Sequence, residues 1–344
     1  MRELLSLSRA GSGEPLLLLH GMGSSRRDFA AVLPLLTGRF DVINADLPGV
    51  GGSPALEVRP TVAAITDAVE RTLDAEGVDR VHVLGNSLGG RVALELARRG
   101  RARSVVAIGP SGLNVLPERI LQGSGMALAR VVMRIGAPLV APLSRSALGR
   151  ATLLAPLKVR PWDTSVDEAI GAREGFADSR DYWRTLLWGL LLDVPLGLDH
   201  IDCPVTLAQG VADWIASGQT FHYLPFVPGS RFVPLLWAGH APQSDRPKTI
   251  VRLVEETAGR AGAAPAEVRA AGVSPGHLGR SCPRGRPERR DPGLGRGPLT
   301  STGTPQPARG RRAPVAQGIE HRFPKPCVAG SNPAGGTTKV LVSG

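Results

Sequence analysis

In the stretch VHVLGNSLGG, residues 81–90, Ser87 stands between Gly85 and Gly89 where an apolar run passes into helix-like sequence. A strand that turns sharply into a helix brings two backbones nearly into contact. Such a crossing needs residues with little or no side chain, and it pushes one side chain outward. Gly85-Asn86-Ser87-Leu88-Gly89 fits G-x-S-x-G in that strand-to-helix context, which separates it from a tight turn with a passing serine. A serine hydroxyl is a weak nucleophile until an imidazole takes its proton, and the imidazole needs an acid to fix its tautomer. Two later segments offer these groups: Asp213 in QGVADW and His240 in WAGHAPQ.

The elements that must position these residues show in the hydrophobic pattern. Short apolar runs at 15–20, 40–46, 81–86, 104–110, 203–210 and 231–239 are bounded by Gly, Pro and Asp, as expected of strands buried on both faces. Between them, 59–77 and 87–100 carry apolar residues three and four apart and end at glycine, the pattern of crossover helices. The alternation predicts an α/β fold with a mostly parallel sheet. Ser87, Asp213 and His240 then all fall at strand C-terminal ends, where open α/β sheets place their ligand sites. Rival acids fit less well. Asp28 and Asp46 precede the serine, Asp199 and Asp202 precede their strand, and Asp245 is expected to cap the last helix.

Residues 111–199 break the alternation with helix-like, Gly- and Pro-interrupted sequence, which predicts a helical insertion over the C-terminal edge of the sheet. Met126, Met133, Trp183, Trp188 and several leucines recur there at helical spacing, and packing is the expected role of most of them. An apolar cover favours a substrate with an apolar acyl or ring portion. The apolar windows near 121–143 and 185–198 are interrupted by Arg130, Arg134 and Asp193, so neither reads as a membrane span.

Taken together, the motifs resemble those of the α/β-hydrolase family, over residues 8–258. HGMGSS (20–25) is similar to its oxyanion loop, DLPGVGGSP (46–54) to the loop after its next strand, and GNSLGG to its nucleophile elbow. G-x-x-D at 210–213 resembles the acid turn and GHAPQSDRP the histidine loop. The resemblance implies Ser87 as nucleophile, His240 as general base and Asp213 as the acid that orients it. It also implies an oxyanion hole from the backbone N–H groups of Met22 and Leu88, with His20 and Gly21 supporting that loop. His82, His200 and His222 are read as core or surface residues. Dehalogenases and epoxide hydrolases of this fold carry aspartate at the elbow, so Ser87 points to the esterase, acyl-transfer, haloperoxidase-like and C–C hydrolase branches. C–C hydrolases often follow the histidine with an aromatic residue, where Ala241 and Pro242 stand here. Usually two strands precede the one ending in His-Gly, whereas only ELLSLSR precedes the GSGEP turn. Either the start lies upstream or the outermost strand is lacking.

The expected function is a serine hydrolase cleaving an ester or related acyl bond of a small apolar substrate. The alternatives are a non-catalytic ligand- or partner-binding protein of the same fold, and acyl transfer or perhydrolysis on the same serine. No metal cluster, P-loop or dinucleotide-binding pattern appears, so no cofactor is expected.

Of the chain's net +11, residues 259–344 carry +10, from 14 Lys and Arg against 4 Asp and Glu. That segment also holds 16 Gly and 12 Pro with one aromatic, a composition that cannot offset its ordering entropy and predicts a disordered basic tail. The basic pI thus gives no reason to make the folded body a nucleic-acid binder. The closing PVAQGIEHRFPKPCVAGSNPAGG is similar to spurious reading frames through a transfer-RNA gene, so read-through without selected function is one reading of the tail. A basic arm for RNA or DNA is the other. Three scattered cysteines, Cys203, Cys282 and Cys327, and the lack of a signal-peptide pattern fit a reducing, cytoplasmic setting. The expected organisation is core at 1–110 and 200–258, cap at 111–199 and tail at 259–344.

Overall fold

The computed structural model describes residues 4–216 and 218–262. Seven strands form one sheet: β1 (Leu7–Gly11), β2 (Glu14–Leu19), β3 (Phe40–Ala45), β4 (Val81–Asn86), β5 (Ala102–Ile108), β6 (Val205–Gly210) and β7 (Arg231–Leu235). Their order is β1-β3-β2-β4-β5-β6-β7, and every pairing is parallel except β1 with β3. The six runs read as strands are all present. β1 was not assigned from the pattern because LSRAG has no buried face to impose an alternation.

Period-2 alternation divides the strands between two cores. Leu17, Leu19 and Val83 face α2 (Val62–Ala75) and α3 (Leu88–Arg98), packing against Ile65, Val69 and Val92. Leu16, Leu18 and Leu84 face the other side, against Phe29 and α1 (Leu33–Leu36) and against the helix Pro247–Gly262. That last helix runs to Gly262, so the folded body passes the boundary expected at 258. The expected basic tail from 263 onward lies outside the described residues.

The parallel registers carry the site to one edge. Leu19 pairs with Gly85, Asn86 with Ile108, Ile108 with Ala208 and Gly210 with Leu235. The segments following β2, β4, β5, β6 and β7 therefore emerge side by side.

Between β5 and β6 the chain forms α4 (Leu116–Ser144), α5 (Ala147–Leu154), α6 (Val166–Arg173) and two π-helical turns at Glu174–Asp178 and Thr185–Leu191. A third apolar cluster holds these together, with Met126, Met133 and Val140 of α4 against Phe176, Tyr182 and Leu186. The Tyr182 hydroxyl donates to the Met126 carbonyl at 2.8 Å. Packing is thus the role of the two methionines. It is not the role of Trp183 or of Leu116, Leu121 and Leu128, each more than half exposed, so the expectation that spacing meant burial fails on the outer face of α4.

Candidate active site

Ser87 sits at the turn from β4 to α3 with φ 54° and ψ −115°, a left-handed conformation that L-residues rarely adopt. Holding a non-glycine residue there costs about 1–3 kcal/mol and persists only where the surroundings over-determine it. Here they do so through contact. A Cβ on Gly85 would lie 2.3 Å from the Gly89 carbonyl oxygen, and one on Gly89 would lie 2.1 Å from that of Leu19. The Ser87 N–H donates to the Ile108 carbonyl at 2.8 Å, which ties the turn to β5. Gly89→Ala is accordingly expected to destabilise the fold by about 3 kcal/mol or more, because rigid strand backbone cannot yield to the added methyl. Urea unfolding would read this directly, and an unchanged midpoint would contradict the close crossing.

His240 and Asp213 are joined. The His240 ring places Nδ1 2.9 Å from Asp213 Oδ2. The other carboxylate oxygen accepts from the Ile215 and Ala216 N–H groups, each at 2.9 Å, and the Gln209 amide donates to Oδ2 at 2.7 Å. Burial pushes the Asp213 carboxyl up, but the neighbouring imidazole and these donors outweigh it and hold it below the usual carboxylate range. Burial likewise pulls the His240 imidazole down, while the charge of Asp213 and its hydrogen bond more than compensate, leaving it raised. The Asn86 side chain, next to Ser87, donates to the His240 carbonyl at 2.9 Å and so links elbow and histidine loop. The Ser87 hydroxyl itself makes no hydrogen bond within the described residues.

Two backbone donors near this edge have no partner among the described residues. Neither Met22 N–H nor Leu88 N–H is hydrogen-bonded within the described residues, and Leu88 is the first residue of α3, where an amide has no intrahelical acceptor. His20 is locked behind them. Its Nε2 accepts from the Leu47 N–H at 2.9 Å, and its Nδ1 donates to the Gly21 carbonyl at 2.8 Å. Burial lowers its pKa, consistent with a neutral ring. Gly21 packs closely here: a Cβ there would lie 3.1 Å from both the Ser87 Cβ and the Asn86 amide oxygen, so either side chain would have to yield by a few tenths of an ångström.

The competing residues are occupied elsewhere. Asp28 accepts from Gln243 at 2.6 Å and Asp46 from the Arg26 N–H at 2.9 Å. His82 is buried between Ser104 and Glu14, His222 bonds the Leu113 carbonyl, and His200 is exposed. Asp245 does not cap the last helix as expected. Its carboxylate instead accepts from the Val159 and Arg160 N–H groups at 3.1 to 3.2 Å and from the Gly239 N–H at 2.8 Å.

That arrangement stitches the histidine loop to the helical layer, and the Ala241 N–H adds a bond to the Leu157 carbonyl at 3.2 Å. Beside it lies a buried pair missed in the sequence, Lys158 with Glu168, both bonded to Ser244. Burial pushes Glu168 up against the opposing pull of Lys158. One signal was present: Lys158 is the sole lysine in the first 247 residues of an arginine-rich chain. The pair, Asp28 and His240 line a cavity together with Met22, Leu154, Leu157 and Phe176. Asp245→Ala is expected to cost about 1–3 kcal/mol of stability by orphaning these N–H donors. It should also lower kcat more than it raises KM, because the loop carrying His240 loses its anchor. Unfolding curves and steady-state kinetics would check both.

An alpha/beta hydrolase fold family model matches residues 14–247. With that match, the sheet order and the elbow, the chain belongs to the α/β-hydrolase fold family. Epoxide hydrolase EphH of Mycobacterium tuberculosis is 33% identical over 204 residues, covering 56% of this chain and 92% of that protein. A pimeloyl-[acyl-carrier protein] methyl ester esterase of Neisseria meningitidis is 31% identical over 243 residues, covering 65% and 85%. Among solved structures, the esterase RhEst1 from Rhodococcus superposes with a TM-score of 0.57 at 23% identity, covering 74% of this chain and 94% of its own. A meta-cleavage product hydrolase from Pseudomonas fluorescens gives 0.57 at 17%, covering 75% and 94%. At these identities the two structures speak to the fold.

Proposed function

We propose that the protein is a serine hydrolase that cleaves an ester or related acyl bond of a small, largely apolar substrate. The observation that carries this reading is the strained outward turn at Ser87 beside a hydrogen-bonded His240–Asp213 pair at one sheet edge. Ser87 Oγ attacks the substrate carbonyl carbon while His240 Nε2 takes its proton and Nδ1–H stays bonded to Asp213. The carbonyl π electrons move to oxygen, and the Met22 and Leu88 N–H groups receive the resulting oxyanion, the kind of stabilisation worth about 3–4 kcal/mol per donor. Collapse expels the alcohol with the proton returned by His240. Water, deprotonated by the same ring, then releases the acid from the acyl-serine.

The name of the mycobacterial relative raises epoxide opening as a second reading. The elbow residue speaks against it: serine attack on an epoxide carbon would leave an ether, which offers water no carbonyl to attack. Ala241 and Pro242 after the histidine weigh against carbon–carbon cleavage. Transfer of the acyl group to another acceptor uses the same serine and differs only in the final nucleophile. A fluorophosphonate probe tests the central claim on the full chain. The parent should be labelled and Ser87→Ala should not; an unlabelled but folded parent would bring a non-catalytic binding role forward.

A further inference from the structure

Gly21, Met22 and Gly23, in the loop after β2, line two cavities. The first is walled by Leu47, Val50, Ile65, Leu88 and Tyr182, and among the described residues no charged side chain lines it. The second takes in His240 together with Lys158, Glu168 and Asp28. These last three are each more than nine-tenths buried, yet their hydrogen bonding is incomplete. Lys158 has three N–H bonds to give and two acceptors, a Glu168 oxygen and Ser244 Oγ at 3.0 Å. Ser244 donates to the same oxygen, Oε2, which leaves Glu168 Oε1 without a donor among the described residues. Asp28 Oδ2 accepts from the Gln243 amide at 2.6 Å, and its Oδ1 likewise has no donor there. One donor and two charged acceptors thus stand unused in the wall of the cavity that holds the histidine.

We propose that Lys158, Glu168 and Asp28 bind a hydroxyl group on the alcohol portion of the substrate, which makes that substrate a monoester of a diol. The inference rests on the serine-hydrolase reading and narrows it. A hydroxyl fits both halves of the cluster: its oxygen accepts the spare Lys158 N–H, and its hydrogen goes to Glu168 Oε1 or Asp28 Oδ1. An ammonium group would meet Lys158, and a carboxylate would meet two like charges. Proton return places the hydroxyl on the alcohol portion rather than on the acyl portion. In the proposed reaction the acyl–oxygen bond breaks and His240 gives its proton to the departing oxygen, so the alcohol lies in the cavity that His240 lines. The cavity without charged side chains is left for the apolar acyl chain.

The test follows acid release by the full chain from ω-hydroxyalkyl butyrates of increasing chain length, each compared with the n-alkyl butyrate in which a methyl group replaces the hydroxyl. At the best length, kcat/KM for the hydroxyl ester should exceed that of its methyl counterpart by about 10- to 100-fold, the worth of a hydrogen bond to a charged group. Esters ending in an ammonium or a carboxylate should be slower than the hydroxyl ester. Lys158→Met and Asp28→Asn should each bring the hydroxyl-to-methyl ratio toward one. A purely structural role would slow both substrates alike and leave that ratio standing. Should Lys158→Met fail to fold, the preference of the parent still decides. A parent that the fluorophosphonate labels but that treats the two series alike overturns the subsite alone, as does a preference for the ammonium or carboxylate ester, or a ratio that survives both substitutions. A folded parent that is neither labelled nor active on either series removes the hydrolase reading, and the subsite falls with it.

Discussion

Ser87→Ala is expected to lower kcat on a p-nitrophenyl ester by about 10⁴- to 10⁶-fold, the range seen when a nucleophile that works with an imidazole is removed. The large figure follows from what remains. Without the hydroxyl, the unpartnered Met22 and Leu88 amides can still polarise a bound carbonyl, but His240 has no oxygen to activate and must act on water directly. Alanine keeps the backbone at φ 54° and loses one buried oxygen atom, so the folded state should hardly change. An equal unfolding midpoint with lost turnover would assign the defect to chemistry. Turnover within tenfold of the parent would remove Ser87 from the reaction.

Asp213→Asn should cost about 10⁴-fold in kcat, because it fixes the wrong imidazole tautomer. The surroundings dictate how an amide would sit. Two backbone N–H groups, from Ile215 and Ala216, need an acceptor, so the asparagine carbonyl must stay on their side. The NH₂ group then faces His240 Nδ1 and donates to it, placing the ring proton on Nε2, the nitrogen that accepts from Ser87 in the proposed reaction. The same NH₂ would abut the Gln209 amide nitrogen, now donor against donor. The pH profile should move as well. A general base works when neutral, so with His240 in the proposed role kcat/KM of the parent is expected to fall as pH drops through the His240 pKa, which lies above the ordinary value of about 6.5. Removing the carboxylate removes the raising influence and leaves burial, which lowers. The acid limb of the variant should therefore appear at lower pH than that of the parent, and coincident limbs would contradict the assignment of Asp213.

The sheet was legible because strands buried on both faces must be continuously apolar, and PLLLLH or VHVLGN admit few other readings. The elbow was legible because a close backbone crossing leaves glycine little competition at 85 and 89. The order and sheet-edge positions of Asp213 and His240 followed from counting strands. What escaped notice depends on contacts between distant segments. Asp245 looks like a helix cap in one dimension, yet its partners Val159 and Arg160 lie some eighty-five positions away. Lys158 and Glu168 look like solvated charges until the fold buries both. The outer leucines of α4 show the converse. Helical spacing reveals that a face is apolar but not whether anything covers it.

The stitching of residues 157–160 to the histidine loop has a mechanical meaning. This segment cannot move away from the sheet without either breaking the Asp245 and Ala241 hydrogen bonds or dragging His240 along. The helical layer and the loop that carries His240 are thus mechanically one piece: displacing the first displaces the second unless those hydrogen bonds break.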